Sequence, residues 1–185
     1  AATGVLLSLV ALLIAGTLKV SAMSSELLHF SLPLSFAEAW QVQLFSWVPF
    51  DASKGEEGVS VQGSLLIFLL ITIAITAWKG MENIIEGANR WTWITLALSA
   101  STLLVATLKL TPQAGGLDVA ITGRVVAEAL SLTAVLWFAS RLSAEDWQAW
   151  LWESWRFVKQ IFVLLIVGVF IVGIARALIQ PAWIE

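Results

Sequence analysis

Arg124 and Glu128 are the two residues whose types and spacing could carry chemistry. They lie four positions apart in the apolar run 119–139, so in a helix both side chains share one face. Charges at membrane depth are costly, and where they occur they generally line a cavity or pair inside a helix bundle. We therefore predict that this pair belongs to a substrate or ion pathway. The alternative is that Arg124 lies at the membrane interface and only holds Glu128 in an ion pair.

Other catalytic and metal-binding chemistries have little support in the sequence. Cysteine and tyrosine are absent, and the single histidine, His29, has no metal-binding partner at a recognisable spacing. No hydrolase, zinc-protease or phosphate-loop motif occurs. The ten Lys and Arg are scattered along the chain, so no basic patch matches a nucleic acid backbone. We predict that the chain is not an enzyme and binds no cofactor, metal or nucleic acid, and that the acidic turn with Asp51, Glu56 and Glu57 is simply solvated.

The composition points to lipid as the solvent of this chain. Hydrophobic residues make up 59% of it and charged residues only 12%, whereas soluble domains carry about 25% charge. Too few polar side chains remain to cover a water-exposed surface. The predicted fold class is an all-α integral membrane protein with about five transmembrane helices, organised as a single membrane domain over residues 1–185.

Five apolar runs have roughly the 20 residues that a helix needs to cross a hydrocarbon core of about 30 Å. They cover residues 4–23, 60–79, 91–110, 119–140 and 157–179. Residues 24–62 form a long extramembrane connection. In it, Ser35 and Glu38 have the spacing of a capping box, which favours an interfacial helix over 35–47; a loop packed on the other helices is the alternative. Lys and Arg divide five against five between the two sides, which leaves the orientation open.

Residues 145–156 predict an amphipathic interfacial helix before the last span. Trp147, Trp150 and Trp155 recur at helical spacing, and tryptophan concentrates where membrane meets water.

Hydroxyl side chains in the second and third runs could either bind a substrate or bond to their own helix backbone. These are Thr72, Thr76, Ser99, Ser101, Thr102 and Thr107.

The region 145–184 resembles the predicted permease family that includes the organoarsenical efflux permeases. The resemblance is carried by the run WESWRFVKQIF at residues 152–162, by the glycine-containing apolar run that follows, and by LIQPAWI at 178–184. It implies that this chain is part of a longer permease. One difference is Val163, which stands where that family typically has proline. Since proline would break the helix at that point, we expect a continuous helix here.

Two functions therefore stand side by side. The first is part of a multi-spanning membrane permease that moves a small solute or ion, in the bacterial or archaeal cytoplasmic membrane. The alternative is a non-catalytic membrane subunit that scaffolds a larger complex. In both cases the expected partners are the lipid bilayer and other transmembrane helices, supplied by the rest of a longer chain or by partner subunits.

Overall fold

Six α-helices and three β-strands make up the computed structural model, which describes residues 2–17, 25–48, 58–113 and 115–178. A 3₁₀ turn, Ile84–Glu86, joins the third helix to the fourth. The elements are, in order, α1 (Ala2–Thr17), β1 (Glu26–Leu32), α2 (Phe36–Trp47), α3 (Val61–Met81), α4 (Arg90–Thr107), β2 (Lys109–Gln113), β3 (Gly116–Thr122), α5 (Gly123–Ala139) and α6 (Ala144–Leu178).

Two antiparallel helix pairs form the body of the fold. In the first pair, Gln62 at the start of α3 donates to the carbonyls of Val105 and Leu108 at the end of α4, at 3.0 and 2.7 Å. In the second pair, Gly4 at the start of α1 lies against the ring of Phe138 near the end of α5. Contacts between α4 and α5 join the pairs. The end of α1, the start of α3, the end of α4 and the start of α5 therefore lie at one end of the molecule.

A three-stranded antiparallel sheet closes that end, which we call the sheet end. Its order is β1-β3-β2, with His29 opposite Ala120 and Leu110 opposite Val119. The all-α prediction is therefore wrong, because residues 109–110 and 119–122 are strand rather than the ends of the third and fourth predicted spans. Asp118 between Leu117 and Val119 gives the alternation of a strand, which a count of apolar residues cannot detect.

The prediction of five transmembrane helices is wrong as well. Within the described residues, only α3 is both long and apolar enough to cross a membrane. In the described segments α1 has 16 residues and α5 has 17, while α4 has 18 residues but repeated Thr and Ser side chains. Residues 18–23 of the first predicted span and residue 179 of the last lie outside the described part. In the third and fourth predicted spans, the strand residues 109–110 and 119–122 had extended the apolar runs.

Two of the predicted interfacial segments are confirmed as helices. α2 covers the predicted segment 35–47, but Ser35 makes no side-chain cap, so the capping box does not form. Ala37 and Leu44 are buried, and α2 packs against β2 and β3. The segment 145–156 lies in α6, whose start is capped by a 3.1 Å hydrogen bond from the Asp146 N–H to the Ser143 hydroxyl. α6 continues through Val163 without a break, as we expected because Val163 stands where proline would break the helix.

The opposite end of the molecule is built around tryptophan side chains from α6. Met81 and Ile84 form a buried cluster with Leu151 and Ala77, and the Trp147, Trp152 and Trp155 rings pack against it. Trp150, which we expected on the same face as Trp147 and Trp155, is instead 44% exposed. Leu151 and Trp152 take part in the packing where Trp150 does not. We call this region, where α3 and α5 end and α4 and α6 begin, the tryptophan end.

The carboxylate of Glu82 fastens α6 to the end of α3. It accepts a 3.1 Å hydrogen bond from the indole N–H of Trp155 and is 3.0–3.1 Å from the Lys159 ammonium. The indole hydrogen bond, and then the hydrogen bond and charge of Lys159, hold the pKa of Glu82 below its usual value. The carboxylate therefore stays ionised at neutral pH and keeps α6 in place.

The closest approach of α3 to α4 depends on Gly80. The Thr92 hydroxyl, which is fully buried, donates a 2.6 Å hydrogen bond to the Gly80 carbonyl. A Cβ atom on Gly80 would come within 2.6 Å of the Thr92 nitrogen and the Trp91 carbonyl carbon. Since both of those atoms belong to backbone, neither can move aside easily. Any larger residue at this position must push the two helices apart.

We therefore expect Gly80→Ala to destabilise the protein by about 1–3 kcal/mol, as overpacking generally does. Thermal unfolding of the purified protein, followed by tryptophan fluorescence in one detergent, measures the change. Gly168→Ala is the matched control, because a Cβ atom there meets nothing within 4 Å. It should leave the unfolding temperature unchanged or raise it slightly, since alanine favours a helix. Equal unfolding temperatures for Gly80→Ala and wild type would show that the helices are not in close contact here.

Candidate functional site

Arg124 and Glu128 are held at the sheet end, where β3 passes directly into α5. Thr122 is the last residue of β3 and the N-cap of α5, but its side chain makes no capping hydrogen bond. The Gly123 N–H donates to the Ser25 carbonyl at 3.4 Å. This turn fixes the first turn of α5, and with it Arg124, beside the end of α1.

The Arg124 guanidinium links α5 to the last described residues of α1. Its Nη2 donates to the carbonyl oxygen of Gly16. Hydrogen bonds from a charged donor are stronger than those between neutral groups. Arg124 therefore has a structural role that the sequence did not predict. Gly16 is distant from it in the chain, and no sequence pattern around either residue indicates the contact.

Glu128 is almost completely buried, between α1 and α5. Its residue exposure is 2%, and the Oε2 atom has no hydrogen-bond partner among the described residues. A Cβ atom placed on Gly16 would lie 3.8 Å from that oxygen, so the carboxylate rests against the part of α1 where a side chain is missing. The described residues show no ion pair between Glu128 and Arg124. The described residues therefore do not show the ion pair of the alternative interpretation, and Arg124 instead contacts a group on another helix, the Gly16 carbonyl.

Three buried polar atoms on this short stretch of chain have no hydrogen-bond partner within the described part of the protein. They are the Thr122 Oγ1, the Arg124 Nε and the Glu128 Oε2. More than about 90% of buried polar groups in proteins are hydrogen-bonded, so each exception calls for an explanation. A hydroxyl, a guanidinium N–H and a carboxylate oxygen together offer both donors and acceptors. Such a set can bind a small polar molecule or take up and release a proton.

The hydroxyl side chains of α3 and α4 do not extend this site. Five of the six hydroxyl groups named from the sequence donate to backbone carbonyls three or four residues earlier in their own helix. This agrees with the interpretation that they bond to the helix backbone rather than to a substrate. The five are Thr72, Thr76, Ser101, Thr102 and Thr107. Their hydroxyl protons are therefore already used, and they are poor candidates for substrate contacts.

His29 has a partner that the sequence analysis missed. Its Nε2 lies 3.5 Å from a carboxylate oxygen of Asp118, across the pairing of β1 with β3. The two residues are far apart in the chain, and only the strand register brings them together. No group of three His, Asp or Glu side chains that could hold a metal occurs among the described residues. Asp51, Glu56 and Glu57 lie outside the described part.

A surface depression on α6 is unrelated to the charged site. It is lined entirely by α6 residues, including Trp150, Arg156 and Gln160. One face of a single helix cannot enclose a ligand, so this depression is not a binding pocket. The buried atoms around Glu128 therefore remain the site to which chemistry can be assigned.

Comparisons with known proteins add no relative. No family model matches the chain, and the searches of curated proteins and of solved structures found no match either. The resemblance of residues 145–184 to a permease family therefore stays a prediction. The functional argument rests on the geometry of the described residues.

We expect Glu128→Met to stabilise the protein, by about 1–3 kcal/mol, because it removes a buried carboxylate oxygen that has no partner. Thermal unfolding in one detergent measures the effect. Glu145→Met is the control, since Glu145 is exposed and its replacement should change little. A lower unfolding temperature for Glu128→Met would contradict the geometry, because it would mean that the carboxylate has a stabilising partner.

Proposed function

We propose that this chain is a membrane-embedded part of a permease, and that Glu128 lies on the path of the small solute or ion that it moves. The observation that carries the proposal is the buried carboxylate of Glu128, whose Oε2 has no hydrogen-bond partner among the described residues, inside a protein with many exposed apolar side chains. Ionisable groups in such surroundings are costly and are generally kept for function.

Membrane insertion is supported first by α3. Its 21 residues span about 31 Å at 1.5 Å per residue, close to the thickness of a hydrocarbon core. Only 11% of its most apolar stretch is buried, whereas a core helix of a water-soluble protein would be mostly buried. Phe68, Leu70 and Ile75 are each more than half exposed. Acyl chains are the natural cover for such a surface.

In α1 and α6, large apolar side chains are exposed as they are in α3. α1 buries Val5, Leu12 and Ala15 on one side, while Leu7 and Leu13 on the other side are about two-thirds exposed. Beyond Lys159, α6 exposes apolar side chains in every direction. They are Ile161, Phe162, Val163, Leu164, Leu165, Ile166, Val167, Val169, Ile171 and Val172. A helix that is apolar on all sides is stable in lipid or inside a protein, but not in water.

A transport role is supported by the position of the charges relative to these surfaces. Arg124 and Glu128 face α1, away from the apolar exterior. The Glu128 carboxylate packs against α1 at Gly16. One carboxylate with unused hydrogen-bonding capacity, beside a guanidinium that is also incompletely bonded, can exchange a proton or hold a small polar solute in passage.

The scaffold alternative draws support from α6. Its apolar side chains are largely exposed among the described residues, and a partner subunit could cover them. A partner that co-purifies in a fixed ratio from native membranes, with no flux by the purified chain, would favour this second function.

Flux measurements test the permease proposal. The protein is reconstituted in vesicles that contain a pH-sensitive dye, and proton movement is followed with and without a panel of small anions and neutral solutes. We expect Glu128→Gln to reduce the flux by about 100-fold or more, because general acid–base steps are commonly worth 10²–10⁴-fold. Glu145→Gln, at the exposed start of α6, should behave as wild type. Equal flux with Glu128→Gln and wild type would overturn the role of Glu128.

A further inference from the structure

We propose that the tryptophan end binds the headgroups of anionic phospholipids through Lys79, Arg90 and Arg141. This inference rests on the proposed membrane insertion, but not on transport or on Glu128. It also assigns an orientation that the count of basic residues could not give.

The three cations are held over tryptophan rings. The Lys79 ammonium lies 4.9 Å from the centre of the Trp91 ring, and the Arg90 guanidinium carbon lies 5.7 Å from the same ring. The Arg141 guanidinium carbon lies 4.9 Å from the centre of the Trp137 ring. Contacts with aromatic faces hold cations in place without neutralising them. The charges therefore remain available to an external anion.

The other two cations of this end are already neutralised. Lys159 pairs with Glu82 at 3.0 Å, and Arg156 pairs with Glu153 at 2.8 Å. Within the described residues no carboxylate forms an ion pair with Lys79, Arg90 or Arg141. The remaining acids of this end, Glu86, Glu145 and Asp146, form none with them. Lys79, Arg90 and Arg141 therefore have no ion-pair partner among the described residues and can each contact an external anion, while the five acids of this end balance its five cations in number.

The surroundings identify those anions as lipid rather than as protein or nucleic acid. Trp78 at the end of α3 and Trp93 at the start of α4 are both about 60% exposed, next to the apolar surface of α3. Exposed tryptophans beside such a helix are typical of the level at which acyl chains meet headgroups. Cations at that level lie within reach of lipid phosphates, which Lys and Arg bind well. The negative surface potential of the cytoplasmic leaflet then places this end in the cytoplasm.

Anionic lipid should therefore be retained selectively. The purified protein is placed in bilayer discs made from equal amounts of phosphatidylcholine and phosphatidylglycerol, extracted gently, and analysed for bound lipid by native mass spectrometry. We expect wild type to retain phosphatidylglycerol preferentially. The triple variant Lys79→Gln, Arg90→Gln, Arg141→Gln should bind it about 100-fold more weakly, which corresponds to about fivefold for each cation near a charged surface.

The controls separate this surface from charge in general. Lys109→Gln at the sheet end, where Lys109 pairs with Glu26 at 2.7 Å, should retain as much phosphatidylglycerol as wild type. Each single substitution should weaken retention by about fivefold, which keeps the test usable if the triple variant does not fold. Inorganic phosphate at the same concentration should not displace the lipid.

Two results would overturn the proposal: undiminished phosphatidylglycerol retention in every single variant, or its full displacement by inorganic phosphate. Glu128→Gln should retain the lipid normally even where flux is lost. Failure of the transport proposal is thereby distinguished from failure of this one.

Discussion

The chain has far more apolar surface than it can bury by itself, and the rest of its structure follows from that imbalance. Of the twelve buried hydrophobic residues in the described part of the chain, half are alanine or valine, while many Leu, Ile, Phe and Trp side chains are exposed. Buried apolar area is the main source of folding free energy in water, at about 25 cal/mol per Å². We propose that acyl chains cover the apolar surface that the described residues leave exposed. Polar interactions are consequently concentrated at the two ends and between the helices.

Different interactions stabilise the two ends. At the sheet end, backbone hydrogen bonds of three strands join segments that are remote in sequence, and the Lys109–Glu26 ion pair crosses from β2 to β1. At the tryptophan end, aromatic packing on Ile84 and the Glu82 carboxylate attach α6 to the helix pair α3–α4. Gly80 allows α3 and α4 to come close enough for the Thr92 hydrogen bond. Each helix pair is thus fixed at its ends, while the sides remain apolar.

The sequence predicted the helices better than the sheet, for physical reasons. The apolar run of α3 and the tryptophan spacing at the start of α6 are local signals, so both helices were predictable. The partner of His29 is Asp118, and their contact depends on a strand register between distant segments that local periodicity cannot supply. Burial of Glu128 was predicted by the cost of its charge. The sequence did not predict that Glu128 lacks an ion pair with Arg124 among the described residues. Arg124 donates instead to the Gly16 carbonyl, which belongs to another helix.

Collision measurements on α3 test most directly whether lipid covers the apolar exterior. The chain has no cysteine, so single cysteines for spin labels can be introduced without removing any. A label at Leu70, which is 57% exposed in the middle of α3, should collide more often with oxygen, which dissolves in lipid, than with a water-soluble nickel complex. A label at Glu145 should show the reverse preference, and one at Ala77, which is buried, should show little access to either. Preferential collision with the nickel complex at Leu70, matching Glu145, would contradict the account.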